Sequence, residues 1–479
     1  MNKKIYNLCL VTDRDILNGK SLEKAVEDSI LGGATMIQLR EKNICENEFI
    51  EIGKKIKKIT DKYNIPLLIN DKVNVALEID ANGVHLGQDD MNPVKAREIL
   101  GENKIIGLSI STLEEFKKSK EYPVDYYGVG PIYPTTSKSD AQKPMGLEGL
   151  KELSKLTDKP LMAIGGITEE NTLEILENGG DGIAVISNIL KDENVKRNTK
   201  KLKTIFEKKE LMEKVAGKIE KLRDRNPLIY HLTNMVTIND CANVTLGIGA
   251  SPLMSFSEEE LEDIIKISEA LVLNIGTMDK EMVSMAVKMG KMGNKYKKPI
   301  VFDPVGAGAT KARKELVEKL MENIKFSVVK GNLAEIKSIL NFESESKGVD
   351  SLDFSLEDEI LKVGKEFYEK YNTVLCITGK NDYIFSKENI IKIQNGHENM
   401  GKVTGTGCMT GSLIGSFLGG GETDFLSGIL GVGIMGIAGE MGQEESKYLG
   451  TGTLRVKIID KISKMNSKIF LENIKLESI

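Results

Sequence analysis

The chain has 479 residues, 40% of them hydrophobic, with 66 basic and 71 acidic side chains and a net charge of −5. That length holds two or three domains with full cores, and the balanced charge excludes a surface that binds nucleic acid or anionic lipid through bulk basicity. The N-terminal MNKKIYNLCLVTD has too short an apolar stretch for a signal peptide, and we expect no bilayer-spanning run of 18 residues.

Five cysteines without a CxxC pair fit a reducing, cytoplasmic setting, and three histidines are too few for a histidine-built metal centre. From residue 5 to 190 a short apolar run, a turn and a charged amphipathic stretch recur. The runs are Leu8–Thr12, Thr35–Leu39, Pro66–Ile69, Gly83–Leu86, Ile105–Ile110, Tyr126–Val129, Pro160–Ile164 and Gly182–Ile186. Eight such units predict an α/β architecture, a TIM (β/α)8 barrel. An open doubly wound sheet competes, but eight units that each end in a polar loop favour closure.

The polar residues follow the runs at one phase. Gln38, Arg40 and Lys42 follow the second, Asn70 and Asp71 the third, and Asp90 the fourth. Ser109 ends the fifth, Thr135, Thr136, Ser137 and Lys138 follow the sixth, Gly165 and Gly166 the seventh, and Ile186 and Ser187 close the eighth. On a barrel these positions share the C-terminal rim. Strand alternation is expected to aim Gln38, Arg40 and Lys42 together at an anion. Any one cluster reads better as ordinary loop chemistry; seven at the same phase are hard to explain that way. Arg40, Lys42 and Lys138 supply cations, Asp71 and Asp90 suit Mg2+, and the glycine pair and Ile186-Ser187 form backbone nests. Together they predict one diphosphate ligand and one monophosphate ligand.

The run QLREK, IND, GVHLGQDD, GLSIS, GPIYPTTSK, AIGGI and AVIS resembles the thiamine-phosphate synthase family. The resemblance implies that Gln38, Arg40, Lys42, Asn70, Ser109 and Lys138 hold hydroxymethylpyrimidine diphosphate and that Asp71 and Asp90 bind Mg2+. It places a thiazole phosphate on Thr135, Thr136, Ser137, Gly166, Ile186 and Ser187, and makes Lys138 a catalytic stabiliser of departing pyrophosphate. A related barrel, the thiazole tautomerase, needs no diphosphate clamp, which the intact cation and carboxylate sets argue against. His85 and His231 are expected to be structural and His397 a surface residue.

Residues 191–225 carry helically spaced Leu202, Ile205, Leu211, Val215, Ile219 and Leu222, which predict two charged helices with a break near 208–212. The expected domains are 1–208 and 213–479. Beyond the seam, Ser255–Ile267 reads as a capped helix. The β-rich runs Ala270–Ile275, Pro299–Phe302, Phe326–Val329 and Thr373–Ile377 alternate with helical stretches, as in a largely parallel sheet covered on both faces. Asn274, Asp303, Lys330, Glu335 and Thr378 lie at or just beyond strand ends, the edge where open α/β sheets bind ligands. GAGAT at 306–310 lacks the GKS or GKT end of a Walker loop.

VTGTGCMTG at 403–411 turns into a helix, aiming N–H groups and the positive end of the helix dipole at one spot suited to a phosphate or developing anion. Cys408 sits at that mouth, where a thiolate is favoured; the competing reading is a small core hydrophobe. LTNMV, GASPLM, VFDPVGAGAT, KGNLAEI, ITG and VTGTGC resemble hydroxyethylthiazole kinase, a ribokinase-like family. The resemblance implies that Asn234, Val236, Met254 and Gly405 contact the thiazole and that Lys330 and Thr378 bind ATP, beside Asp303 and Glu335, which their place at the strand ends makes candidate carboxylates for Mg2+. It makes Cys408 the catalytic group, at the position where many ribokinase-like enzymes carry an aspartate base. Lys330 stands where that family usually has Arg, and Tyr230-His231 where it often begins with His.

The two resemblances share one intermediate, which implies a bifunctional transferase of thiamine biosynthesis or salvage with small-molecule substrates. They also imply a homo-oligomer, a trimer through the kinase half. The competing readings are a hydroxymethylpyrimidine kinase in the second half and a thiamine-pathway sensor with dead sites.

Overall fold

The computed structural model describes residues 3–479 except 18, 43, 136–143, 192 and 342–354. It divides after Glu210 into two compact units.

In the first unit, strands β1 (Leu8–Val11), β2 (Met36–Leu39), β3 (Leu67–Asn70), β4 (Gly83–Leu86), β5 (Ile105–Ile110), β6 (Tyr126–Val129), β7 (Leu161–Ile164) and β8 (Gly182–Val185) close into a barrel. Every neighbouring pair is parallel, and β8 returns to β1. The strands are apolar on both faces because one face fills the barrel and the other packs under the helices. Leu8, Cys9, Leu10, Met36, Ile37 and Leu39 are all essentially inaccessible. Local signals set where helices begin. The Ser21 hydroxyl accepts the Lys24 N–H, and Thr168 with Asn171 forms a capping box.

The expected helix break near 208–212 does not occur. One helix runs Val195–Val215 and the next, Lys218–Arg225, starts after Gly217 at φ 71°. The left-handed conformation that glycine tolerates, rather than the change of charge pattern, ends the helix.

The second unit is a nine-stranded sheet of β9 (Leu228–Leu232), β10 (Ser251–Met254), β11 (Ala270–Asn274), β12 (Ile300–Asp303), β13 (Val328–Asn332), β14 (Val374–Thr378), β15 (Asp382–Phe385), β16 (Ile390–Ile393) and β17 (Leu476–Ser478). Their order is β10-β9-β11-β12-β13-β14-β15-β16-β17, parallel through β14 and antiparallel beyond it. Alternation along the central strands feeds two cores. Val272, Val301, Val328 and Cys376 face the helices Thr406–Gly419 and Asp424–Ser446. Leu271, Leu273, Phe302, Val329 and Leu375 pack with Met285, Leu316 and Val317 on the other side.

Two expectations are corrected here. The segment after Met254 is not helical until Leu261, because the Ser255 hydroxyl bonds Glu260 and accepts the Ser257 N–H, holding a turn in its place. Helix Asp424–Ser446 is also long and apolar enough to cross a bilayer, yet 83% of its apolar window is buried. It is apolar all round because it is buried within the second unit.

Candidate active sites

β3 ends at Asn70, and Asp71 follows at φ 63°, a left-handed turn that asparagine and aspartate tolerate better than most. This turn and the ends of β4 to β8 frame a cavity of about 400 Å³ at the C-terminal rim. Of the residues singled out from the sequence, Arg40, Asn70, Asp71, Asp90, Ser109, Thr135, Gly166, Ile186 and Ser187 line it. Gly165 and Gly166, at φ 97° and 65°, form a backbone turn in its wall. Asp90 accepts the Gly87 N–H at 2.7 Å and, among the described residues, has no cation within ion-pair distance. Thr136, Ser137 and Lys138 lie outside the described residues.

Gln38, Arg40 and Lys42 do not share one wall. Gln38 is buried and its amide donates to Asn70 Oδ1 at 2.6 Å. Lys42 lines a second cavity of about 260 Å³ with Asp13, Arg14, Asp15 and Glu41, and only Arg40 reaches both. β2 stops at Leu39, so strand alternation does not extend to the cations. The Arg40 guanidinium lies 3.3 Å from Asp13, a partner the sequence pattern did not indicate. Arg14 pairs with Glu41 at 2.6 Å, while burial is the larger influence and pushes the Glu41 carboxyl up.

His85, expected to be structural, also lines the main cavity, with Nδ1 2.7 Å from the Tyr126 hydroxyl and Nε2 2.9 Å from Ser109 Oγ. The sequence signal was its place between the buried Val84 and Leu86, which alternation turns toward the barrel interior.

In the second unit, helix Thr406–Gly419 begins after Gly405 at φ 92°, where a Cβ would meet Thr237 Cγ2 at 2.5 Å. Cys408, half-buried in its first turn, accepts the Asn234 amide N–H at 3.3 Å. It is not the fully buried hydrophobe of the competing reading. Asn234 Oδ1 accepts from the N–H groups of Val236 and Thr237 and from the Thr237 hydroxyl. Its Nδ2 also donates to Asn274 Oδ1 at 2.9 Å, and Asn274 Nδ2 donates to Asp303 Oδ2 at 2.8 Å. Lys330 closes the chain, 3.3 Å from Asp303 Oδ1. Burial pulls the Lys330 ammonium down, but Asp303, Glu335 and Cys408 together raise it above its ordinary value. A Cβ on Gly407 would lie 3.1 Å from Lys330 Nζ, so the ammonium sits beside the glycine turn.

Glu335 Oε1 accepts the Gly306 N–H and Oε2 the Asn332 N–H, both at 2.8 Å, bracing the loop after β12. Arg313, which sequence reasoning did not single out, binds the carbonyls of Ile275, Val305 and Gly276 and holds two loops at once. Val236 is exposed, Met254 ends the edge strand β10, and Thr378 ends β14 beside Asn332. His231 is wholly buried, with Nδ1 3.1 Å from the Ile229 carbonyl, and His397 is exposed, as expected of each. All five cysteines are free thiols. Among the described residues, no group of three or more His, Cys, Asp or Glu converges on a point that a metal could occupy.

Residues 8–189 match the thiamine monophosphate synthase family and residues 219–468 the hydroxyethylthiazole kinase family. The probable thiamine biosynthetic bifunctional enzyme of Schizosaccharomyces pombe is 33% identical over 98% of this chain and 96% of its own length. A hydroxyethylthiazole kinase of Clostridium tetani is 42% identical over 55% of this chain and 97% of its own. The solved hydroxyethylthiazole kinase of Pyrococcus horikoshii OT3 superposes with a TM-score of 0.51 at 34% identity, covering 56% of this chain and 99% of that one. Both family matches fall on one chain, and the Schizosaccharomyces pombe relative matches across both of them, over 98% of this chain and 96% of its own length. The chain therefore belongs to the bifunctional thiamine biosynthetic enzymes, transferases that join a thiamine-phosphate synthase barrel to a hydroxyethylthiazole kinase domain.

Proposed function

We propose that the second unit transfers the γ-phosphoryl group of ATP to the hydroxyl of hydroxyethylthiazole. The barrel then joins the thiazole phosphate to hydroxymethylpyrimidine diphosphate, releasing pyrophosphate and thiamine phosphate. One observation carries this reading: a single cavity gathers the anion-binding turns Gly165-Gly166 and Ile186-Ser187 with the carboxylates Asp71 and Asp90.

In the barrel, Arg40, Asn70 and Ser109 hold the pyrimidine diphosphate, with Lys42 and Lys138 as further cations. Thr135, Gly166, Ile186 and Ser187 hold the thiazole phosphate together with Thr136 and Ser137. Gln38 acts through Asn70, whose amide it fixes. Asp71 and Asp90 fit Mg2+: both line the cavity, and few protein carboxylates with several phosphate oxygens suit that ion. When bound, it offsets charge on the departing pyrophosphate.

In the kinase unit, Asn234, Val236, Met254 and Gly405 surround the thiazole, and Cys408 receives the alcohol proton at the helix mouth. Lys330 and Thr378 meet the nucleotide. Every carboxylate oxygen of Asp303 and Glu335 already accepts a hydrogen bond. These groups therefore fit a magnesium nucleotide through its bound waters. We place the domain limits at 1–208 and 213–479, in a cytoplasmic homo-oligomer, a trimer through the kinase half, without nucleic-acid or membrane partners.

Asp71→Asn and Asp90→Asn test the barrel assignment. Each is expected to raise the Mg2+ concentration needed for condensation by about tenfold or more while thiazole phosphorylation stays at the wild-type rate. An unchanged Mg2+ requirement in both variants would remove these carboxylates from the site.

A further inference from the structure

His85 on β4, Gly107 on β5 and Tyr126 on β6 are register partners across three strands, and Ser109 pairs with Gly128 one layer further along. The two glycines leave space for the two rings. A Cβ on Gly107 would lie 2.2 Å from Tyr126 Cζ, and one on Gly128 would lie 2.7 Å from His85 Cε1. The rings spread over these gaps with centroids 5.6 Å apart and connect the fully buried Tyr126 hydroxyl to Ser109 through the imidazole.

Donor accounting fixes the direction of this chain. Burial pushes the Tyr126 phenol well above its ordinary value, so it keeps its proton. Among the described residues, His85 Nδ1 is the acceptor within reach of that O–H. Were Nδ1 protonated, the buried phenol would be left with no acceptor. Nδ1 therefore accepts, Nε2 carries the hydrogen, and Ser109 Oγ receives it. Ser109 Oγ accepts from His85, so its own proton is not needed for that bond and is available to an acceptor in the cavity that Ser109 lines.

We propose that His85 and Tyr126 are positioning residues for the barrel reaction, holding Ser109 as a hydrogen-bond donor toward an acceptor atom of the diphosphate-bearing substrate. The acceptor is a ring nitrogen or a phosphate oxygen, both of which present lone pairs. The kinetic half of this inference rests on the proposed condensation; the proton arrangement does not.

The test begins with the tautomer, read on the substrate-free full chain by 15N NMR of selectively labelled histidine. Only three histidines are present, and His85→Gln identifies the relevant signal by its loss. The expected result is Nε2–H with an unprotonated Nδ1. An Nδ1–H tautomer overturns the proposal whether or not condensation is observed. The kinetic arm compares Tyr126→Phe, Ser109→Ala and the double variant. Each single change is expected to lower condensation kcat/KM about five- to tenfold, and the double variant should fall no further than Ser109→Ala. The kinase rate of the same chains stays unchanged. Losses that multiply in the double variant, or a Tyr126→Phe enzyme as fast as wild type, overturn the relay. A wild-type chain without condensation would instead contradict the proposed function and leave the tautomer result to decide the proton arrangement.

Discussion

Asn234 is the only described side chain that donates a hydrogen bond to Cys408 Sγ, and the same amide nitrogen donates to Asn274. The thiol is thereby connected through two buried amides to Asp303 and Lys330, so the group at the helix mouth and the Asp303–Lys330 ion pair form one polar chain. A buried network of this kind rigidifies when complete and is costly when one member is lost.

Asn274 touches neither substrate in our account, yet its removal leaves Asn234 Nδ2 and Asp303 Oδ2 each short of a partner. Asn274→Ala is expected to lower the rate of thiazole phosphorylation by about 10- to 100-fold, in line with about 1–3 kcal/mol for the lost partners. Condensation from supplied thiazole phosphate should be unaffected. Measuring both rates on one preparation checks this, and parallel losses would indicate general damage.

Lys330 neutralises Asp303 where both are almost wholly buried. Lys330→Met leaves that carboxylate unpaired, costing about 3–5 kcal/mol. It should both raise the KM for ATP and lower the denaturation midpoint of the kinase unit. Lys330→Arg should keep the charge and recover stability; a variant pair with equal stability would contradict the ion pair's role.

Burial holds the His231 imidazole down at about 4, with the Ile229 carbonyl partly opposing it. Its folded value lies below the unfolded value near 6.5, so the unfolded chain binds the proton first as the solution is acidified. Stability is then fully present above pH 6.5 and is lost as pH falls toward 4, by about 3 kcal/mol at most. Denaturant midpoints followed by kinase activity should decline across that window, and His231→Gln should flatten the decline whatever its effect at neutral pH.

The barrel was legible because its signal repeats: eight apolar runs at one phase with polar residues after each. The sheet of the second unit was legible only at its centre. β11, β12 and β14 are apolar runs ending in one polar residue and β13 opens on Val328-Val329, whereas β9 carries His231 within LIYHL and β10 is a half-buried edge strand beginning Ser-Pro. Asp71, Asp90, Gly166 and Ser187 could be read as lining the cavity because each follows a strand in the barrel repeat, and Ser109 because it lies near the end of one. Gln38, Arg40 and Lys42 were expected on one wall because strand alternation was carried past Leu39, where β2 ends. His85 carried only the signal of its place between Val84 and Leu86, while Tyr126 and Arg313 carried none, since their contacts depend on cross-strand register and on carbonyls of other loops.

In the proposed function, one chain makes a phosphorylated thiazole and then consumes it. The most direct measurement incubates the purified chain with hydroxyethylthiazole, ATP, Mg2+ and hydroxymethylpyrimidine diphosphate and follows products by mass, beside Lys138→Ala and Cys408→Ala. The account predicts thiamine phosphate from wild type, accumulation of thiazole phosphate in Lys138→Ala, and little of either product from Cys408→Ala unless thiazole phosphate is supplied. Thiazole phosphate absent from every form, or thiamine phosphate formed equally well by Lys138→Ala, would contradict it.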